Sequence, residues 1–220
     1  FYMGINESRY GFMDEGWARM IPYKFQKEVG KYNPIALQMK GFDERAGREF
    51  EVPPMVPSIL LKGQTYRMAA YNRPALAYLF LQDMMGEDKF REAMQYYIAV
   101  WKGKHPNPFD FFNIMSSFYG EDLSWYFKSW FFNWDYPDLK LKFEGGTEYT
   151  VQNPGRLPLP VKIYLAEGTF KKLVYYQPAS IWKDGKTTIK VELETPDKMT
   201  WYQLGDENIP DVNRLDNVLK

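Results

Sequence analysis

Apolar side chains recur at three- and four-residue spacing through Tyr10, Met13, Trp17, Met20 and Ile21, which predicts a helix over 7–30 stopping at Gly30. The next stretch, 31–63, holds no sustained period and carries Pro34, Pro53, Pro54 and Pro57, so loop with short helical turns is expected. Helical periodicity resumes over 65–85, with Gly86 as its stop. It continues over 87–101, where Phe90, Met94, Tyr97, Ile98 and Trp101 share a face and Glu87-Asp88 suits the positive end of the helix dipole. Helices are also expected over 107–119 and 123–134, with short connections that favour antiparallel packing. Met13, Met20, Met84, Met85 and Met94 fall at helical spacing and read as core filling, while Asp110, Asp122 and Ser124 read as N-terminal caps.

The pattern changes at Pro137. From Leu139-Lys140-Leu141-Lys142-Phe143-Glu144 onward apolar and polar residues alternate, which predicts strands over 139–144, 159–166, 170–176, 187–194 and 200–204. Gly145-Gly146, Asn153-Pro154-Gly155, Glu167-Gly168 and Lys183-Asp184-Gly185 supply the turns. Short strands at this spacing read as an immunoglobulin-like β-sandwich, with Trp182 in its core. The expected fold class is therefore α+β, an all-α unit over 1–136 followed by a β-sandwich over 137–220.

Composition narrows the function classes. The chain has 220 residues, with 28 Lys+Arg against 28 Asp+Glu, one His and no Cys. A net charge of zero argues against nucleic-acid binding through bulk positive charge. The absence of cysteine excludes disulfides, Cys-ligated zinc and a thiol nucleophile, and a single His excludes a metal site needing two imidazoles from this chain. No apolar run reaches the length of a membrane span. Aromatic residues make up 18% of the chain, which calls for large buried side chains, an aromatic-lined cleft, or both. Phe1 opens the chain without a basic leader or an initiator Met, so a piece of a longer polypeptide is expected.

No nucleophile elbow, Walker loop or dinucleotide fingerprint occurs. His105 lies in Gly103-Lys104-His105-Pro106-Asn107, between two predicted helices, and reads as a surface histidine. Asp14-Glu15 is more telling, because Glu15 has Phe12 and Trp17 around it, and a carboxylate there is costly unless paired or bound to a metal. The segment Phe12-Met13-Asp14-Glu15-Gly16-Trp17-Ala18 resembles the W-L-N-E-G-F-A segment of the aminopeptidase-N-like zinc peptidases, gluzincins with a thermolysin-like catalytic domain. In that family a catalytic Tyr opens Y-E-K-G fifteen residues before the Gly of a G-E-x-[KR]-F element. Here Gly86-Glu87-Asp88-Lys89-Phe90 places that position at Tyr71, with Tyr66 as the alternative. Asn72-Arg73-Pro74 departs from the family's E-K-G. His105-Pro106-Asn107-Pro108-Phe109-Asp110-Phe111, Gly120-Glu121-Asp122-Leu123-Ser124, Trp130 and Pro137 are similar to later family elements in the same order.

The resemblance implies a zinc metallopeptidase in which Glu15 is the third metal ligand and Asp14 hydrogen-bonds a ligand histidine. Tyr71 would donate to the oxyanion of the tetrahedral intermediate. The H-E-x-x-H histidines and general base would lie upstream in the same polypeptide, so the isolated chain is expected to bind no zinc and to be inactive. The substrate implied is a peptide, trimmed from its N-terminus. Two other readings stay open, a catalytically dead pseudo-peptidase acting as a peptide- or protein-binding module, and a helical scaffold joined to an adhesion-type sandwich. Localisation stays open, with export favoured by the sandwich module and the lack of thiols.

Overall fold

The computed structural model describes residues 3–194 and 199–219, apart from the side chains of residues 37–40. The outermost residues of the two expected units, Phe1, Tyr2 and Lys220, lie outside the described residues. The first predicted helix is broken into α1 (Glu7–Tyr10), α2 (Phe12–Met20) and α3 (Tyr23–Gly30). Gly11 breaks it first, because its N–H turns aside to the Ser58 hydroxyl at 2.8 Å. Pro22, which has no N–H to offer a preceding turn, makes the second break. Within 31–63 the structure holds a full helix, α4 (Pro34–Asp43), where loop with short turns was expected. Asn33 caps it, its Oδ1 accepting from the N–H groups of Ile35 and Ala36, and Pro34 occupies the first turn, where a proline starts a helix instead of ending one.

Gly63–Tyr66 (α5) runs through a π-helical stretch, Arg67–Asn72, into α6 (Arg73–Met85). Gly86 then takes a positive φ, which lets the chain reverse into α7 (Glu87–Trp101). α8 (Pro108–Tyr119) opens on a capping box in which Asn107 is the cap and Asp110 returns a bond to the Asn107 N–H, so Asp110 completes the cap without itself occupying it. α9 (Ser124–Phe127), whose Ser124 N–H bonds Asp122 Oδ1, continues as a second π-helical stretch, Lys128–Phe132. That helix ends at Phe132, two residues short of the predicted 134, and the two later helical stretches, Ala179–Gly185 and Arg214–Asn217, are short 3-10 turns.

Among the described residues seven strands follow, in two antiparallel sheets. The first sheet has β1 (Lys140–Gly145), β2 (Glu148–Gln152) and β5 (Thr188–Glu192) in the order β1-β2-β5. The second has β3 (Val161–Glu167), β4 (Phe170–Gln177), β6 (Trp201–Leu204) and β7 (Val218–Leu219) in the order β4-β3-β6-β7. β2 was not predicted, since Tyr149, Thr150 and Val151 are all buried and the alternation that betrays a half-exposed strand is missing. β7, two residues long, is too short to leave a pattern.

Buried side chains of the helices and both sheets form one contiguous apolar cluster, running from Phe12 and Trp17 through Trp130 to Val161 and Tyr202. Met13, Met20, Met84 and Met85 are buried in it and Met94 packs against it. Trp182 is buried, its indole N–H on the Leu159 carbonyl at 2.8 Å. Polar bonds join helices to sheets at several points, among them Trp130 Nε1–H to the Pro158 carbonyl at 3.2 Å and Tyr136 N–H to the Gly155 carbonyl at 2.9 Å.

Candidate active site

Glu15 and Tyr71 stand 56 residues apart in sequence, and the fold brings them into contact, the Tyr71 hydroxyl donating to Glu15 Oε1. Two local features make this possible. On α2, Gly16 presents no side chain where the helix meets α6. A methyl there would stand 2.8 Å from the Tyr78 ring and 2.9 Å from Pro74 Cβ. On the facing element, Tyr71 lies in the π-helical stretch, where a widened turn re-aims side chains relative to a regular helix. Trp17, next along α2, lies flat on Tyr78 with ring centroids 3.6 Å apart and planes 4° apart, which fixes the rotation of α2 and with it the direction of Glu15.

The Tyr71 phenol is pushed up to about 12, first by burial and then by its hydrogen bond to Glu15 and that carboxylate's charge. It therefore keeps its proton, and remains a donor, at any ordinary pH. Tyr66 packs edge-on against Tyr71 with centroids 5.9 Å apart, its own phenol raised by burial and by the charges of Glu15, Glu7 and Asp14. Arg19, one turn beyond Glu15 on α2, places its guanidinium 5.3 Å from the centre of the Tyr71 ring. Asp14 is exposed and lines a small cavity with Glu7, Lys104 and His105. His105 is exposed too, its Nδ1 2.8 Å from the Gly4 carbonyl oxygen.

Among the described residues no group of three His, Cys, Asp or Glu side chains is arranged to hold a metal ion. Glu15 is a half-buried carboxylate that accepts from one neutral donor, the Tyr71 hydroxyl. That chemistry fits a single ligand to a hard or borderline cation, with the remaining ligands supplied from elsewhere.

Arg73, part of the Asn72-Arg73-Pro74 departure from the family pattern, is fully buried and joins the start of α6 to Glu51 and to the end of the second π-helical stretch. Its Nε and Nη2 donate to the carbonyls of Trp130 and Ser129, each at 2.8 Å, and its Nη2 also reaches the Asn133 carbonyl at 3.1 Å. These are carbonyls left open as the second π-helical stretch ends. Its Nη1 pairs with buried Glu51 at 2.8 Å. Burial pushes the Glu51 carboxyl up and the facing guanidinium pulls it back, while burial lowers Arg73. An arginine inside an otherwise apolar helix was the signal available in the sequence.

No family model matches this chain, and no curated protein does. Among solved structures it is similar to the aminopeptidase A of Legionella pneumophila, crystallised in complex with aspartic acid. The TM-score is 0.66 at 21% sequence identity, over 94% of this chain and 24% of that one. The likeness shows an aminopeptidase-like fold, and the chain spans about a quarter of the length of that protein.

Proposed function

We propose that this chain forms the helical half of the thermolysin-like catalytic domain of a zinc-dependent, aminopeptidase-like gluzincin, followed by an immunoglobulin-like β-sandwich built from its two sheets. The observation that carries the reading is the contact between the Tyr71 hydroxyl and the Glu15 carboxylate in a fold like that of an aminopeptidase.

In this reading Glu15 supplies one carboxylate ligand, and Tyr71, whose hydroxyl has one proton to donate, gives up its bond to Glu15 when it donates to the substrate. Zinc, when bound, supplies a Lewis acid that activates water for attack on a peptide carbonyl. Tyr71, protonated throughout, donates a hydrogen bond to the oxygen that becomes negative as the carbonyl is attacked, stabilising charge that develops only in the transition state. Asp14, exposed on the same helix, accepts a hydrogen bond from an imidazole supplied elsewhere in the polypeptide. The substrate is a peptide trimmed at its N-terminus. The 220 residues alone, with a single histidine, hold no zinc and are inactive. The Asn72-Arg73-Pro74 departure that favoured a dead enzyme has a structural use, since Arg73 closes a buried network and Pro74 sits in the first turn of α6.

The test is metal content and peptide turnover in the intact protein and two variants, with the isolated chain as blank. Glu15→Gln is expected to lose zinc. Tyr71→Phe is expected to retain it while turnover falls on the order of 100-fold. Full turnover in Tyr71→Phe would remove the oxyanion role, and zinc retained by Glu15→Gln would remove the ligand.

A further inference from the structure

Beside the Glu15–Tyr71 pair lies a cavity of about 420 Å³ whose lining includes Arg19, Arg45, Arg67 and Asn72 and no carboxylate. Arg19 belongs to both places, its guanidinium on the Tyr71 ring and its side chain in the cavity wall. Arg67 opens the π-helical stretch that carries Tyr71, and Asn72 closes it. Neither Arg19 nor Arg67 has a carboxylate partner among the described residues. Arg45 donates to the Gly41 carbonyl at 2.7 Å and meets exposed Glu44 at 3.4 Å, a distant pair on the solvent side.

Asn72 lines the same cavity, and its side-chain amide has no hydrogen-bond partner among the described residues. Three guanidinium groups around one cavity repel one another unless an anion sits among them. The planar, forked donors of arginine match a carboxylate, and an amide N–H can complete its coordination.

The arginine-lined wall favours an anionic group. Arg19 lies four residues from Glu15 on α2, a separation of about 6 Å along a helix. An extended peptide covers that distance in about two residues.

Resting on the peptidase reading, we propose that this cavity is a carboxylate subsite. It takes a carboxylate of the substrate peptide within one or two residues of the bond cleaved, either the C-terminal carboxylate of a short peptide or an Asp or Glu side chain.

The experiment is equilibrium binding of four tripeptides to the intact, zinc-loaded protein by calorimetry, with every peptide nitrogen methylated to prevent cleavage. Ala-Ala-Ala as free acid is set against its amide, and Ala-Asp-Ala amide against Ala-Asn-Ala amide. At least one carboxylate-bearing peptide is expected to bind about ten-fold or more tightly than its neutral partner, and the pair that shows the preference names the source. In Arg19→Gln/Arg67→Gln the preference is expected to fall below about two-fold. Arg67→Gln alone, at an exposed position, gives a partial loss without risk to folding. Equal binding within both pairs overturns the proposal, and so does a preference that survives the double variant. Hydrolysis of the unmethylated peptides separates the two readings. A carboxylate preference without hydrolysis keeps the subsite and removes the peptidase, whereas hydrolysis without preference does the reverse.

Discussion

Tyr71 and Asp138 both hold their protons more tightly than usual, for related reasons. At Tyr71 burial and one adjacent carboxylate act on a phenol, so the group stays a neutral donor. At Asp138 burial and the charges of Asp211 and Asp216 push the carboxyl up to about 6, and its Oδ1 is buried without a hydrogen-bond partner. Asp211 is better served, its Oδ2 accepting from Leu139 N–H at 3.0 Å and Asn217 Nδ2 at 2.9 Å. A folded-state value above the unfolded one means that the protonated carboxyl suits the fold. The stability it allows is complete below about pH 4 and is lost as pH rises through about 6. Asp138→Asn is therefore expected to raise the unfolding temperature at pH 7.5 and leave it nearly unchanged at pH 4. An equal shift at both values would mean that charge is not the cause.

Among the elements, the approach of α2 to α6 decides whether the candidate site exists. Gly16 sits where they touch, and a methyl there meets the Tyr78 ring and the Pro74 ring at under 3 Å. Neither ring can swing away, because Tyr78 is stacked on Trp17 and bonded to the Phe12 carbonyl at 3.2 Å. Gly16→Ala is expected to force the helices apart and cost about 1–3 kcal/mol, read as a lower denaturation midpoint. Gly41→Ala in α4 is the control. Among the described residues its methyl would meet only the end of the Arg45 side chain at 3.5 Å, and helix propensity favours alanine by up to about 1 kcal/mol.

Across the whole molecule, the Arg73–Glu51 pair ties the segment before Pro53 to the start of α6 and the end of the second π-helical stretch. Met55 N–H reinforces this junction by bonding the Phe131 carbonyl at 3.0 Å. Removing one partner leaves the other charge buried, so Glu51→Leu or Arg73→Met is expected to cost about 3–5 kcal/mol. Arg73→Met/Glu51→Leu is expected to cost less than the sum of the single changes, because neither charge is then stranded. Additive losses, measured by chemical denaturation of all three variants, would show that the two side chains act independently.

Periodicity located the helices over 65–85, 87–101 and 107–119 and five of the seven strands among the described residues to within a few residues, helped where an element such as α7 or β5 buries one face and exposes the other. It missed β2, where three successive residues are buried, and α4, where a capped proline begins a helix. The resemblance of their flanking motifs to those of a known family picked out Glu15 and Tyr71 as candidates. Their contact was not legible, since it depends on a π-helical turn and on the closeness of two helices, neither of which leaves a periodic trace. The partners of Arg73 lie 22 and more residues away in sequence, and the arginine-lined cavity draws on α2, α4 and the π-helical stretch. A sequence determines which faces must be buried, because water acts on every residue in its own place. Which charges meet is decided only once distant segments pack, because the interaction depends on a separation that the chain order does not contain.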